Sequence, residues 1–434
     1  MAFDGVKMKI LLEAPILTQS GYGEHSRLIF ESLKGTNHEI YTNPLNWGNT
    51  PWIQITEHEI YKNSIIEFYK YVNDCKQSNQ EVSFDMQIHV GIPNEFEKKA
   101  PYSVCVTAGI ETDRVSPNWL MKTHQGIDKI IVPSEHSKSG FTSVNYEVVN
   151  NSNNTKTLLK CNCPIEVVPY PVKQFDDVEL QLDLKTEFNF LSVALLGPRK
   201  NIENSIIWFL QEFKDNPEVG LILKTARSKS SLMDKRYTKD YINSILDKYK
   251  DSKCKVYLLH GSLTPAEMNC LYNNPKIKVL MSATHGEGYG LPLFEAAYNA
   301  MPVVVTDWSS HLDFLTTEVK QKSGKTKERK LFARVDYNLG EVPKEVLWKD
   351  IIVEGSRWAY PKERSFKEQI RKVYKDYGMY KKWAKVLQSK IVKEYSKDIV
   401  LEKMKNALIP ENMRITEEEI SEEIDEMFAS LSRE

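Results

Sequence analysis

Residues 281–315, MSATHGEGYGLPLFEAAYNAMPVVVTDWSSHLDFL, constrain the chain more than any other stretch. An apolar run ends near Thr284, a glycine-rich loop follows, a helix opens at Pro292, and a second apolar strand spans Val303 to Thr306. Proline costs no hydrogen bond in the first helical turn, because its missing N–H would have no partner there. Gly286, Gly288 and Gly290 permit positive φ and a close approach of backbone to a ligand. The turn therefore presents amides and a helix N-terminus, an arrangement that attracts phosphate. Two carboxylates bracket it, Glu287 in the loop and Glu295 one helical turn in. A carboxylate beside phosphate is repulsive unless it accepts hydrogen bonds from hydroxyls of the same ligand. The implied ligand carries both phosphate and sugar. The competing reading is an ordinary turn of an α/β fold with two solvated acids.

The spacing of Glu287 and Glu295 within EGYGLPLFEAAYNAMPVVV resembles the signature of retaining glycosyltransferases of family four, which share the two-domain GT-B fold. The resemblance implies that Glu287 contacts hydroxyls of the donor sugar and Glu295 the ribose of the nucleotide. Gly288, Tyr289, Gly290, Leu291 and Leu293 would line the donor, with amides around Gly290 to Leu293 facing its diphosphate.

At 434 residues, 41% hydrophobic and 27% charged, the chain suits two globular domains. No apolar run approaches the ~18–20 residues of a membrane span. The start, MAFDGVKMKILLEAP, carries Asp4 and runs into a strand, which is unlike a signal peptide. Six scattered cysteines point to free thiols in a reducing cytosol, and Cys161-Asn162-Cys163 lacks the second ligand pair of a zinc site. A cytoplasmic location is expected, the host cytoplasm if the protein is phage-encoded. Net charge is −1 but unevenly spread: residues 1–172 hold 15 basic and 19 acidic side chains, residues 173–408 hold 41 and 31, and residues 409–434 hold 2 and 9. A basic middle suits a polyanionic donor.

Taken in order, Lys9–Ala14 is a short strand followed by Gly21-Tyr22-Gly23 and a helix to about Leu33. A lone Gly-x-Gly is also an ordinary tight turn. In the resembled family this loop lies beside the transferred sugar, which places Gly21 and Gly23 at the donor, with Glu24, His25 and Arg27 nearby. Strand-like runs follow at 38–42, 84–90, 103–107 and 129–133, separated by helical patterns, as in a parallel sheet with crossover helices. Ligands of such sheets bind beyond the carboxyl ends of the strands. Many family members carry a catalytically important histidine after one such strand, where this chain has Gly109-Ile110-Glu111. Glu111 or Asp113 is the substitute available, unless either caps the helix around Trp119. Arg27, Asp113 and Arg114 are the expected acceptor contacts. Residues 150–157, NNSNNTKT, read as an exposed loop. Ile165–Val172 resembles the family's interdomain strand, with Pro171 in place of its usual glycine, so the boundary falls near 173–186.

The second domain repeats the alternation. After the strand 188–196, Arg199 and Lys200 match the family's two diphosphate cations on a shortened loop. Cations there would offset charge on the leaving diphosphate. Lys224 ends the next strand within reach of phosphate, and backbone beside His260 would read the base. His311 reads as a surface group, and the basic run 318–330 as a mobile solvated loop with a capacity to touch a polyanion. Residues 362–408 carry aromatic and basic residues at helical spacing, and in the resembled fold such helices cross back to the first domain. Ile415, Ile420, Ile424, Met427 and Leu431 mark an amphipathic helical tail able to dock on this chain or another copy.

The expectation is thus an α/β GT-B protein: a Rossmann-like acceptor domain over 1–172, a Rossmann-like nucleotide-sugar donor domain with crossing-back helices over 173–408, and an acidic helical tail over 409–434. The resemblance implies a retaining, metal-independent glycosyltransferase whose donor, a UDP-sugar, is a substrate rather than a cofactor. No Asp-x-Asp motif offers a carboxylate pair for a magnesium-bridged diphosphate. The motifs THGEGYGLPLFEAAYNAMPVVV, GIETDRV and VPSEHSKSGF resemble phage-encoded members, some of which glycosylate hydroxymethylated pyrimidines in DNA. Modified DNA is therefore an acceptor to test against cell-surface glycan, lipid or small molecules. An epimerase of the same fold, or a non-catalytic nucleotide-sugar-binding module, are the rival readings.

Overall fold

Near-continuous Val/Ile/Leu runs, rather than alternating ones, are the mark of strands buried on both faces of a parallel sheet. The computed structural model, which describes residues 7–48, 50–53, 59–149, 154–176, 178–228, 231–320 and 324–410, places them so. The first sheet has six parallel strands in the order Glu39–Pro44, Lys9–Ala14, Met86–Val90, Tyr102–Val106, Lys129–Val132 and Ile165–Val167. The second has six more, ordered Lys255–Leu259, Val219–Lys224, Phe188–Val193, Ile277–Ser282, Val303–Thr306 and Ala333–Val335. Each sheet is covered by helices on both faces, with separate apolar clusters packed above and below it.

The chain crosses between the domains twice, and the crossings are tied together. Val172 N–H donates to Tyr395 O at 2.8 Å, joining the outgoing segment to the return. The last described helix, Lys397–Leu408, then packs on the helix Gly21–Leu33, burying Val400, Met404, Ala407 and Leu408 in the first domain's core. The expected crossing-back helices are present. The acidic tail lies outside the described residues. No described helix is long and apolar enough to cross a membrane.

Several expectations need correcting. Where it is described, outside residues 321–323, the basic run is strand instead of loop: Thr316–Lys320 and Thr326–Lys330 pair antiparallel, with Thr326 to Arg329 exposed as expected and Val319 packed on the second core. Of the expected exposed loop, residues 150–153 lie outside the described residues; Lys156 and Thr157 are exposed as expected but belong to a strand, Lys156–Leu159, paired antiparallel with Tyr146–Val149. His311 is wholly buried, with Nε2 at 2.8 Å from Thr306 O. The helix Pro117–Thr123 is capped by Ser116, whose Oγ accepts from Asn118 N–H, which leaves Glu111 and Asp113 free for other partners.

Candidate functional site

The glycine loop after Ile277–Ser282 lies where the two domains meet. Gly290 holds φ +86°, the left-handed conformation that glycine adopts without strain, and it turns the chain into the helix Leu291–Tyr298. Leu293 and Phe294 N–H both donate to Gly290 O, which removes the Leu293 amide from those available to a phosphate. Gly288 has a different reason from the ligand approach expected of it. A Cβ there would stand 2.1 Å from Ala108 O of the first domain. Ser134 and Ser137 hydroxyls of that domain donate to Gly288 O at 3.3 and 3.2 Å. The loop is therefore a domain contact as much as a ligand cradle. Gly288→Ala must push the domains apart, at about 1–3 kcal/mol by analogy with overpacked cores. We expect a lowered Tm and a larger radius of gyration by X-ray scattering; unchanged values for both would show that the contact is dispensable.

Beneath this loop sits a closed ionic cluster. Glu287 is 6% exposed, and its backbone is pinned by Ser309, whose Oγ accepts from Glu287 N–H at 2.7 Å, and by Ser310, whose Oγ donates to Glu287 O at 2.8 Å. Lys200 Nζ lies 2.7 Å from both carboxylate oxygens of Glu287, and Arg199 Nη1 lies 3.0 Å from Oε2. Burial alone would raise the Glu287 carboxyl, but Lys200 and Arg199 outweigh it and hold it down at about 2. The cations are set by their own turn, in which Asn201 takes φ +51° and its side chain donates to Ala283 O at 3.1 Å. Arg199 also reaches across the cleft, its Nη2 lying 2.5 Å from Glu111 Oε1 of the first domain. Burial moves the Glu111 carboxyl above its ordinary range in spite of that partner.

Glu295 faces a second environment. It accepts from Tyr272 O–H at 2.9 Å and opens on a cavity of about 180 Å³ lined by Glu24, Tyr170, Lys173, Phe175, Leu291 and Tyr298 among others. Burial pushes its carboxyl up to about 7, with the Tyr272 hydrogen bond and Lys173 only partly offsetting this. Two carboxylates eight positions apart thus differ widely in acidity. One has two cations against it, the other a phenol and an apolar wall.

The remaining sequence-predicted residues divide. Lys224 Nζ donates to Gly261 O in the loop after Lys255–Leu259, and His260 Nε2 lies 2.9 Å from Asp234 Oδ1 in the first turn of the helix Leu232–Leu246. Tyr289, expected to line the donor, has its ring in the core, 4.9 Å from Tyr170 and 5.4 Å from Phe294. Gly23 abuts Thr18, where a Cβ would fall 2.0 Å from its carbonyl oxygen, whereas Gly21 faces open space. Arg27, an expected acceptor contact, donates to Ile16 O, Thr18 O and Glu24. Asp113 and Arg114 form a domain latch: Asp113 accepts from Arg357 N–H at 2.7 Å and Arg357 Nε at 2.9 Å, and it pairs with Arg114. Sequence reasoning missed Tyr272, Lys173, Arg357 and Tyr22, the last of whose hydroxyl accepts from Gly109 N–H at 3.0 Å. Only the Lys173 position, just past the interdomain strand, carried a usable signal.

No family model matches the sequence, and no curated protein matches it. Solved structures do. The chain covers 55% of S. aureus TarM, matched over 74% of this chain at 15% identity and a TM-score of 0.47. Sucrose-phosphate synthase from Thermosynechococcus elongatus matches at 13% identity and a TM-score of 0.56, over 92% of this chain and 97% of that one. A trehalose-6-phosphate structure from E. coli, bound with UDP-2-fluoro glucose, matches at 10% identity and a TM-score of 0.54, over 94% and 99%. With two six-stranded parallel domains facing across the glycine loop and a C-terminal helix returned to the first, this chain has the GT-B fold.

Proposed function

We propose that the protein is a retaining, metal-independent glycosyltransferase that moves a sugar from a UDP-sugar to a hydroxyl. The observation that carries this reading is the pairing of Lys200 and Arg199 with buried Glu287 directly beneath the glycine loop, with Glu295 one turn on in its own cavity. The diphosphate would lie on Lys200, Arg199 and the helix start, and the nucleoside would lie in the cavity with its ribose on Glu295. Solved neighbours support the donor class: HepE of Anabaena was crystallised with UDP-glucose, at 11% identity and a TM-score of 0.55, over 92% of this chain and 98% of that one. Glu287 would position sugar hydroxyls, the cations would stabilise the departing diphosphate, and a phosphate oxygen would take the acceptor proton. In this reading Lys200 and Arg199, once turned to the diphosphate, would supply the charge that a metal supplies elsewhere, so a chelator should leave turnover unchanged.

For the acceptor we propose 5-hydroxymethyl-pyrimidine in DNA. The supporting observation is a groove of about 840 Å³ along the edge strand Ala333–Val335, whose lining carries the bases Lys327, Arg329, Lys330, Arg334 and Lys372 against the acids Asp307, Glu328 and Asp336, with Tyr380 and Trp383. Among the described residues Lys327 and Arg329 have no ion-pair partner within 4.0 Å. The test is a panel of UDP-sugars with and without hydroxymethylated duplex DNA, read by mass. Labelled DNA is the expected result. Lys327→Gln with Arg329→Gln should raise KM for DNA. The same pair should flatten the salt dependence by roughly 0.9 in log–log slope for each DNA phosphate that is no longer neutralised. Failure of every donor to label DNA, with turnover on another acceptor, would refute the DNA reading alone.

A further inference from the structure

We infer that Glu111 is a stand-in anion, holding Arg199 in the donor-free cleft and surrendering it to the diphosphate, so that this residue sets donor affinity. The inference rests on the proposed donor site. Arg199 is bound by two carboxylates, one from each domain, at 2.5 and 3.0 Å, and its Nη1 also lies 2.5 Å from Gly286 O. Lys200 is bound by both oxygens of Glu287. The cluster of Glu111, Glu287, Arg199 and Lys200 is therefore neutral, and an incoming diphosphate meets no uncommitted cation in it. Something must leave. Glu287 is the poorer candidate, with a 7% exposed side chain and a backbone fixed by Ser309 and Ser310. Glu111 has a 29% exposed side chain on a segment without helix or strand. Its main chain stays against the loop, since its carbonyl oxygen lies 2.3 Å from where a Gly286 Cβ would be, so the side chain is the part able to swing away. The guanidinium fork donates to carboxylate or phosphate oxygens in the same planar geometry, so the exchange replaces one charge-assisted pair by another. Burial that raises the Glu111 carboxyl makes this the less costly carboxylate to release.

The alternative is that Glu111 is a permanent domain latch, and the two roles predict opposite signs. Calorimetry of UDP and of uridine on the full chain, wild type against Glu111→Gln, separates them. Exchange predicts that UDP binds the variant more tightly, by about two- to tenfold, roughly one hydrogen bond exchanged rather than removed. Uridine, which has no phosphate, should bind both proteins equally. Unchanged or weakened UDP binding would overturn the exchange. So would a parallel change for uridine, because Glu111 would then act through domain arrangement. Wild-type protein that binds uridine and UDP equally would instead overturn the phosphate site itself, and the exchange with it.

Discussion

Lys200→Met is expected to lower turnover by roughly 10²–10³-fold, the usual effect of removing one group aimed at developing charge. It should also destabilise the fold, by up to about 3 kcal/mol, because breaking a buried pair leaves its partner under-compensated. Only Arg199 would then face the 7% exposed carboxylate of Glu287. The Glu287 carboxyl lies at about 2, below its ordinary 4.5, so its ion pairing stabilises the fold fully above pH 4.5 and is lost as pH falls toward 2. The Tm difference between wild type and variant should accordingly be full at neutral pH and narrow in acid. Adding Glu287→Gln to Lys200→Met should restore most of the missing Tm and none of the activity. A double variant as unstable as the single one would show that the charge of Glu287 is not what Lys200 compensates.

Glu295→Gln should weaken UDP binding by roughly 10- to 100-fold, from about 1.5–3 kcal/mol in charge-assisted hydrogen bonds. The pH dependence gives this prediction its sign. The Glu295 carboxyl sits at about 7, so it is protonated below that pH and loses acceptor capacity. Wild-type affinity should therefore rise as pH increases through 7. The phosphate of UDP also titrates near pH ~6, and the variant, which keeps that contribution, isolates the Glu295 component. Folding stability moves the other way. A buried carboxyl raised above its unfolded value is destabilising once ionised, so the variant should match or exceed wild-type Tm above pH 7. Weaker binding in a protein no less stable would separate a ligand contact from a packing residue. Equal affinities in calorimetry at pH 8 would remove Glu295 from the nucleotide site.

What the sequence made legible follows from what periodicity reports. Apolar runs such as Val303–Thr306 and Val219–Lys224 are strands because nothing in them suits a wet face, and they appear within one or two residues of their expected bounds. The two glutamates were legible because their eight-residue separation bridges a turn and one helical turn. Contacts between elements were not. Glu111 meets Arg199 from 88 positions away, and Asp113 meets Arg357 from 244, with no pattern in either segment to announce it. Gly288 looked like a ligand cradle, since sequence shows that a side chain is excluded but not by what; Ala108 O is the answer. The paired strands Thr316–Lys320 and Thr326–Lys330 were hidden by their charge, as cross-strand backbone pairing needs no apolar alternation and only Thr317 and Val319 turn toward the core. His311 looked exposed because its neighbours are serines, yet those serines are themselves buried around Glu287.

Lys200, Arg199, Glu287 and Glu295 are proposed to support glycosyl transfer with retention. The most direct measurement is proton NMR of the product formed with whichever α-configured UDP-sugar turns over, with UDP release followed in the same sample. The expected result is stoichiometric UDP and an α-linked product, both formed roughly 10²–10³-fold more slowly in Lys200→Met. A β-linked product, or release of no UDP from any donor, would contradict it.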